Sequence, residues 1–268
     1  MKDRLRDYPT IQSSLGSWLV QLESLGSPED YRVILSEIGE SEEHPIHLQN
    51  LSLLDNHIKV ATQVCRGFAR LIGEKSKLPA DLDEANKTVL NKLSEVRAVV
   101  GLHRLKFTEL EFSEFPDLTA ERNGRKFAVE VTRFGYSEGK RARVWDRTWG
   151  SLEDGVFMGL MSSDGLAPEA ISEAIYREIE EKYPQLKRSS ESVGGCILWI
   201  SLGRDYLTAG VYELSGADTF GRMTRSATHA LEAAIRDIVA TDAYELLSHV
   251  VLCRGRDYAD LVVPGLDA

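Results

Sequence analysis

Residues 115–134 read FPDLTAERNGRKFAVEVTRF, two strand-like runs on either side of Asn123-Gly124. Asn-Gly between such runs is the strongest short-range signal for a β-hairpin. If these two residues fill a two-residue turn, Arg122 opposes Arg125, Glu121 opposes Lys126 and Ala120 opposes Phe127. Further back, Leu118 opposes Val129 and Asp117 opposes Glu130. Opposed residues share a face, with Cβ atoms about 5 Å apart. One face then carries Leu118, Ala120, Phe127, Val129 and Val131. The other carries Asp117, Thr119, Glu121, Lys126, Ala128, Glu130 and Thr132. Glu121 and Lys126 are complementary, but Asp117 and Glu130 are like charges, which destabilise a pairing when directly opposed. Two readings follow. Either the two acids splay into water at a sheet edge, or a positive species lies between them, for which a hard divalent cation is the direct chemical choice.

The chain of 268 residues can bury a substantial core, and its 43% hydrophobic and 28% charged composition is that of an ordinary globular protein. Cys65, Cys196 and Cys253 are odd in number, far apart and set in or beside apolar runs. They read as buried thiols of a reducing, cytoplasmic compartment and not as a disulfide framework. The opening MKDRLRDYPT has no apolar core, so no signal peptide is expected, and no apolar run is long enough to span a membrane.

The formal net charge of -10 argues against nonspecific coating of nucleic acid. The average conceals a reversal. Between Arg122 and Arg147 lie eight basic residues, Arg122, Arg125, Lys126, Arg133, Lys140, Arg141, Arg143 and Arg147, against Glu130, Glu138 and Asp146. This run is either a solvated basic loop or a landing surface for phosphates beside the two acids.

Residues 1–78 read as a helical extension. Ile11, Leu15, Leu19 and Leu22 recur at helical spacing, as do Val60, Val64, Phe68 and Leu71 in the one or two helices expected over Leu51–Ile72. The acid-rich segment from Glu23 to Glu43 makes this part a candidate surface for a protein partner. His44, His47 and His57 lack a metal-binding spacing. Residues 79–268 read as an α/β domain. A helix is expected over Leu82–Val100, with acids at its start and Gly101 at its end, and with Leu82, Ala85, Val89, Leu93, Val96 and Val100 as its apolar stripe. Glu95 lies beside that stripe. A strand over Arg104–Phe112, the hairpin, a helix over Ala167–Leu186, an apolar strand Cys196–Ser201, a helix Ala227–Ala240 and an apolar strand Leu247–Cys253 follow. The order is α-β-β-β-α-β-α-β, an α/β layered domain whose hairpin makes the sheet mixed.

Glu95 on a helix, Pro116-Asp117 and then Glu130-Val131-Thr132 together resemble the PD-(D/E)XK nuclease superfamily over roughly residues 80–200. The resemblance implies a restriction-endonuclease-like mixed central sheet flanked by helices, with the N-terminal helices as an extension. It implies Mg2+ (or Mn2+) bound by Asp117 and Glu130, with Glu95 completing the site. The family's lysine two residues after the second acid is replaced by Thr132. Lys182, with Gln185 one turn on, and Arg133 are the candidates for the missing basic group. The implied activity is metal-dependent hydrolysis of phosphodiesters in nucleic acid, as a DNA endonuclease in defence or repair. Arg133, Lys140, Arg141, Arg143 and Arg147 would contact flanking phosphates, and Trp145 and Trp149 could stack on a base or pack in the core. A dimer is compatible with this reading, and no membrane association is expected. Two alternatives remain open. One is a catalytically inactive module of the same fold that binds nucleic acid or protein. The other is an unrelated α/β protein with a solvent-exposed acid pair.

Overall fold

A computed structural model of the chain describes residues 8–27, 51–68, 77–113, 115–134, 168–190, 193–202, 246–254 and 259–263. The chain divides into two compact units, Met1–Thr132 with Arg256–Tyr258, and Arg133–Gly255 with Ala259–Ala268. The architecture is mixed α/β, with a central sheet flanked by helices. Among the described residues no helix is long and apolar enough to cross a membrane.

The first unit opens with α1 (Pro9–Ser14) and α2 (Gly16–Leu25), followed by α3 (Leu51–Val64) and a two-residue strand, β1 (Cys65–Arg66). Ile11, Leu15, Trp18, Leu19 and Leu22 are all buried, as their spacing requires. The Asp55 carboxylate accepts the Ile11 N–H at 3.0 Å, so α3 satisfies one of the free amides at the start of α1. In α3 the buried stripe is His57, Ile58 and Ala61, not Val60 and Val64, which are half-buried. Helix α3 ends at Val64, within the one or two helices expected over Leu51–Ile72. Cys65 and Arg66 leave it to pair in parallel with Leu110 and Glu111, and Gly67 follows with φ of 81°.

Helix α4 (Leu82–Arg104) is the spine of this unit. Asp81 caps it, its Oδ1 accepting from the amides of Asp83 and Glu84 at 3.1 and 3.0 Å. The expected stripe is buried except for Leu82, which is half-buried, and Leu90, Ser94, Ala98, Val99 and Leu102 are buried on its other sides. The reason is that α2 and α3 pack on the helix as well as strand β2 (Thr108–Phe112). Gly101 does not end the helix; it is buried within it. The stop comes at Lys106, whose φ of 66° is left-handed. Its N–H bonds to the His103 carbonyl at 3.1 Å, and the Phe107 N–H bonds to the Leu102 carbonyl at 3.0 Å. This is a Schellman ending, with Leu102 and Phe107 both fully buried as its apolar contact.

Strands β2, β3 (Leu118–Arg122) and β4 (Arg125–Phe134) follow as antiparallel neighbours. Asn123 and Gly124 have φ of 53° and 75°, both positive, as a type I′ turn demands. The register is the one expected, with Leu118 opposite Val129, Ala120 opposite Phe127 and Arg122 opposite Arg125. Beside the turn, Arg122 lies over the Phe107 ring and Arg125 over the Phe127 ring, at 5.6 and 5.3 Å. The two rings meet edge to face at 5.5 Å. Two arginines of the basic run are thus used in packing the hairpin's tip.

In the second unit, α5 (Pro168–Ser190) packs on β5 (Cys196–Leu202). Strand β5 pairs in parallel with β6 (Leu247–Arg254), and β6 pairs antiparallel with β7 (Ala259–Val263). Cys196 through Ile200 are fully buried, which matches their unbroken apolar run. Strand β7, which the expected order of elements does not include, pairs with β6 through Leu261, Val262 and Val263. Helix α5 continues four residues past Leu186, with Lys187 and Arg188 in its last turn, where they complement the helix dipole. The helix expected over Ala227–Ala240 lies outside the described residues.

Candidate functional site

The hairpin determines where the two acids stand. Because β3 and β4 zip from Arg122/Arg125 to Leu118/Val129 without a slip, the next step outward sets Asp117 beside residues 130 and 131. The Val131 N–H donates to Asp117 Oδ2 at 2.8 Å. The bond engages one carboxylate oxygen and leaves the lone pairs of Oδ1 for another ligand. On the chain's other side, the Ser113 N–H donates to the Asp117 carbonyl at 3.4 Å, and the Ser113 hydroxyl donates to the Pro116 carbonyl. Asp117 is therefore fixed through both its backbone and its side chain. The Phe115–Pro116 peptide bond is cis.

The face that alternation assigns to Asp117 and Glu130 is not the solvated polar face that alternation suggests. Ala128 is fully buried and Glu130 is 2% exposed, whereas Asp117, Thr119 and Thr132 are half-buried. The acids thus stand where a covered face gives way to a rim. A carboxylate held out of water requires compensating charge or donors. Two on one face repel each other, and either protonation or a cation removes that cost.

Glu95 lies on α4, 7% exposed. Lys92, one turn earlier, donates to both its oxygens at 2.7 and 2.8 Å. Lys92 is the residue that sequence reasoning missed, although the Lys-x-x-Glu spacing places the two side chains on one helix face. Among the described residues, no group of three or more His, Cys, Asp or Glu side chains is assembled in a way that could hold a metal ion. Two of the contacts at these acids are Asp117 with the Val131 N–H, and Glu95 with Lys92.

Lys182 and Gln185 are on α5 in the second unit, both half-buried, with Pro184 between them inside the helix. The Gln185 Oε1 is buried and accepts no hydrogen bond among the described residues. Arg133 is half-buried on β4, next to Thr132. Lys140, Arg141, Arg143 and Arg147, with Trp145 and Trp149, lie outside the described residues, as does most of the acid-rich segment from Glu23 to Glu43.

The described cysteines offer no reactive thiol. All three are free and buried, and burial pushes the Cys65 thiol up to about 12. A backbone hydrogen bond at Phe112 acts in the opposite direction, and the nearby charge of Glu111 adds a smaller upward push.

No family model, no curated protein and no solved structure matches this chain.

Proposed function

We propose that this chain is a divalent-metal-dependent nuclease of the PD-(D/E)XK, restriction-endonuclease-like kind, acting on DNA. The observation that carries the reading is the Asp117 carboxylate bonded to the Val131 amide across an unslipped hairpin, next along β4 to the nearly buried Glu130. This donor set suits Mg2+ or Mn2+, which take hard oxygen ligands and complete their shell with water and substrate phosphate around one or two carboxylates. Asp117 and Glu130 would hold the ion, and Glu95 is the candidate third acid. When bound, the ion supplies Lewis acidity toward the phosphoryl oxygens and lowers the pKa of coordinated water.

In hydrolysis a water oxygen bonds to phosphorus and one ester P–O bond breaks. The water gives up a proton, and the departing alkoxide gains one. A basic side chain must orient the water or meet the charge that builds on the phosphoryl group. Lys182 is our candidate for that role, with Gln185 as a hydrogen-bonding neighbour and Arg133 as the alternative. Arg133, Lys140, Arg141, Arg143 and Arg147 would neutralise flanking phosphates, which are the contacts that position a nucleic acid.

A second reading, an inactive module of the same fold that binds nucleic acid or protein, is favoured by two observations. Thr132 stands where the family carries lysine, and Lys92 already engages both oxygens of Glu95. Incubation of plasmid DNA with and without Mg2+ or Mn2+, wild type beside Asp117→Asn, separates the readings. Metal-dependent nicking by the wild type and none by the variant is the expected result. Equal activity in both would overturn the assignment of Asp117, and DNA binding without any cleavage would select the second reading.

A further inference from the structure

Asp117 stands just outside both ladders that flank it. The last pairs are Phe112 with Leu118 toward β2, and Leu118 with Val129 toward β4. The direction of its carboxylate is therefore set by other bonds. Toward β4, the Val131 N–H takes Oδ2. Toward β2, Ser113 makes two bonds. Its hydroxyl donates to the Pro116 carbonyl, and its N–H donates to the Asp117 carbonyl at 3.4 Å. These two carbonyls belong to the two peptide planes that meet at the Asp117 Cα. Each plane is rigid, and the backbone turns only about the two bonds between them. Holding a plane on each side of the Cα fixes φ and ψ of Asp117, and with them the direction of its Cα–Cβ bond. A single half-buried residue, Ser113, holds both planes.

We infer that Ser113 is a positioning residue for the candidate metal site, setting the affinity of Asp117 and Glu130 for a divalent ion without touching it. This rests on the nuclease reading and adds to it the group that fixes the ligand geometry. A small hard cation such as Mg2+ demands ligands close to octahedral positions. Groups that orient metal ligands through hydrogen bonds therefore govern affinity as well as the ligands themselves. With Oδ2 tied to Val131, Oδ1 is the oxygen left to an ion, and a swing of the Pro116–Asp117 plane moves it. Loss of the Ser113 hydroxyl frees that plane and leaves the backbone bond from the Ser113 N–H in place.

The test titrates Mn2+ into the full chain, with no nucleic acid present, and reads the free ion by electron paramagnetic resonance. Wild type is expected to bind the ion, and Asp117→Asn to lose that site. Ser113→Ala is expected to raise the Kd about tenfold. Ser113→Thr keeps the hydroxyl and the wild-type Kd. Ser113→Cys, with a weaker donor, falls between them and carries the test should the alanine variant not fold. Circular dichroism and urea unfolding without metal report on the fold. A residue of merely structural role would lower the urea midpoint and leave the Kd of the folded protein alone. In plasmid nicking, the Mn2+ concentration for half the maximal rate rises with the Kd. A Kd unchanged in Ser113→Ala, or raised as much in Ser113→Thr, would overturn the inference and leave the nuclease reading standing. Wild-type protein that binds no Mn2+, or Asp117→Asn that binds it equally, would bring down the nuclease reading and the inference with it.

Discussion

Asp117 is oriented from two directions, by the Val131 amide at its carboxylate and by the Ser113 amide at its carbonyl. An asparagine at this position keeps the shape and can still accept from Val131, so Asp117→Asn is expected to lose cleavage without losing the fold. That makes it a cleaner variant than alanine, which would leave the amide unpaired. A second residue gives an independent check. Cys65 is held as a neutral thiol by burial, with its pKa raised from 9.0 to about 12. Its neutral form is favoured in the folded state. The stability tied to this group is therefore present in full below pH 9 and lost as the pH climbs toward 12. At pH 8 the native protein is expected to leave Cys65 unalkylated by iodoacetamide, while the urea-unfolded chain labels readily; peptide mass spectrometry reads both. Rapid labelling of Cys65 in the native protein would contradict its placement. Alternation predicts that Asp117 and Glu130 share a face, one step beyond the last paired residues, Leu118 and Val129. It could not reveal that Glu130 is nearly buried, because alternation says which side a residue takes and not what covers that side.

The hairpin and α4 end in the same backbone conformation, supplied once by a suitable residue and once by an unsuitable one. Gly124 has φ of 75°, and a Cβ added there would meet nothing within 4 Å. The cost of Gly124→Ala is then conformational alone, about 1 kcal/mol. Lys106 has φ of 66° at the position where helices favour glycine. Lys106→Gly is expected to stabilise the protein by about 0.5 to 1 kcal/mol, once the greater unfolded-state freedom of glycine is set against the relieved strain. Urea titration of both variants, with unchanged slope, checks the opposite signs. The two cases explain why the turn could be read and the helix end could not. Asn-Gly names its own conformation, whereas the sequence offers Gly101 as the stop, and the helix runs through it to bury Leu102 against Phe107. In α3, periodicity located the helix but placed the buried stripe on the wrong residues. A pattern shared between Ile58, Ala61 and Val60, Val64 is resolved only by which neighbours pack on it.

At the scale of the molecule, the mixed α/β class was legible because β3–β4 alternates while β5 and the Val250–Cys253 stretch of β6 are apolar runs, and helix α5 lies between β4 and β5 in the chain. Strands β1 and β7 were not legible. The first is two residues long and continues directly from a helix, and the second lies in a tail whose composition gives no strand signal beyond Leu261–Val263. The candidate site was legible to the extent that it depends on one hairpin's register. Lys92 was overlooked because its partner Glu95 was weighed only against the strands. The account as a whole depends on Asp117 and Glu130 binding one divalent ion. The most direct measurement is a crystal of the full chain soaked in Mn2+, with anomalous scattering recorded at the manganese edge. The account predicts a peak within coordination distance of a carboxylate oxygen from each of the two residues. A fully occupied manganese elsewhere on the protein, with none between residues 117 and 130, would contradict it.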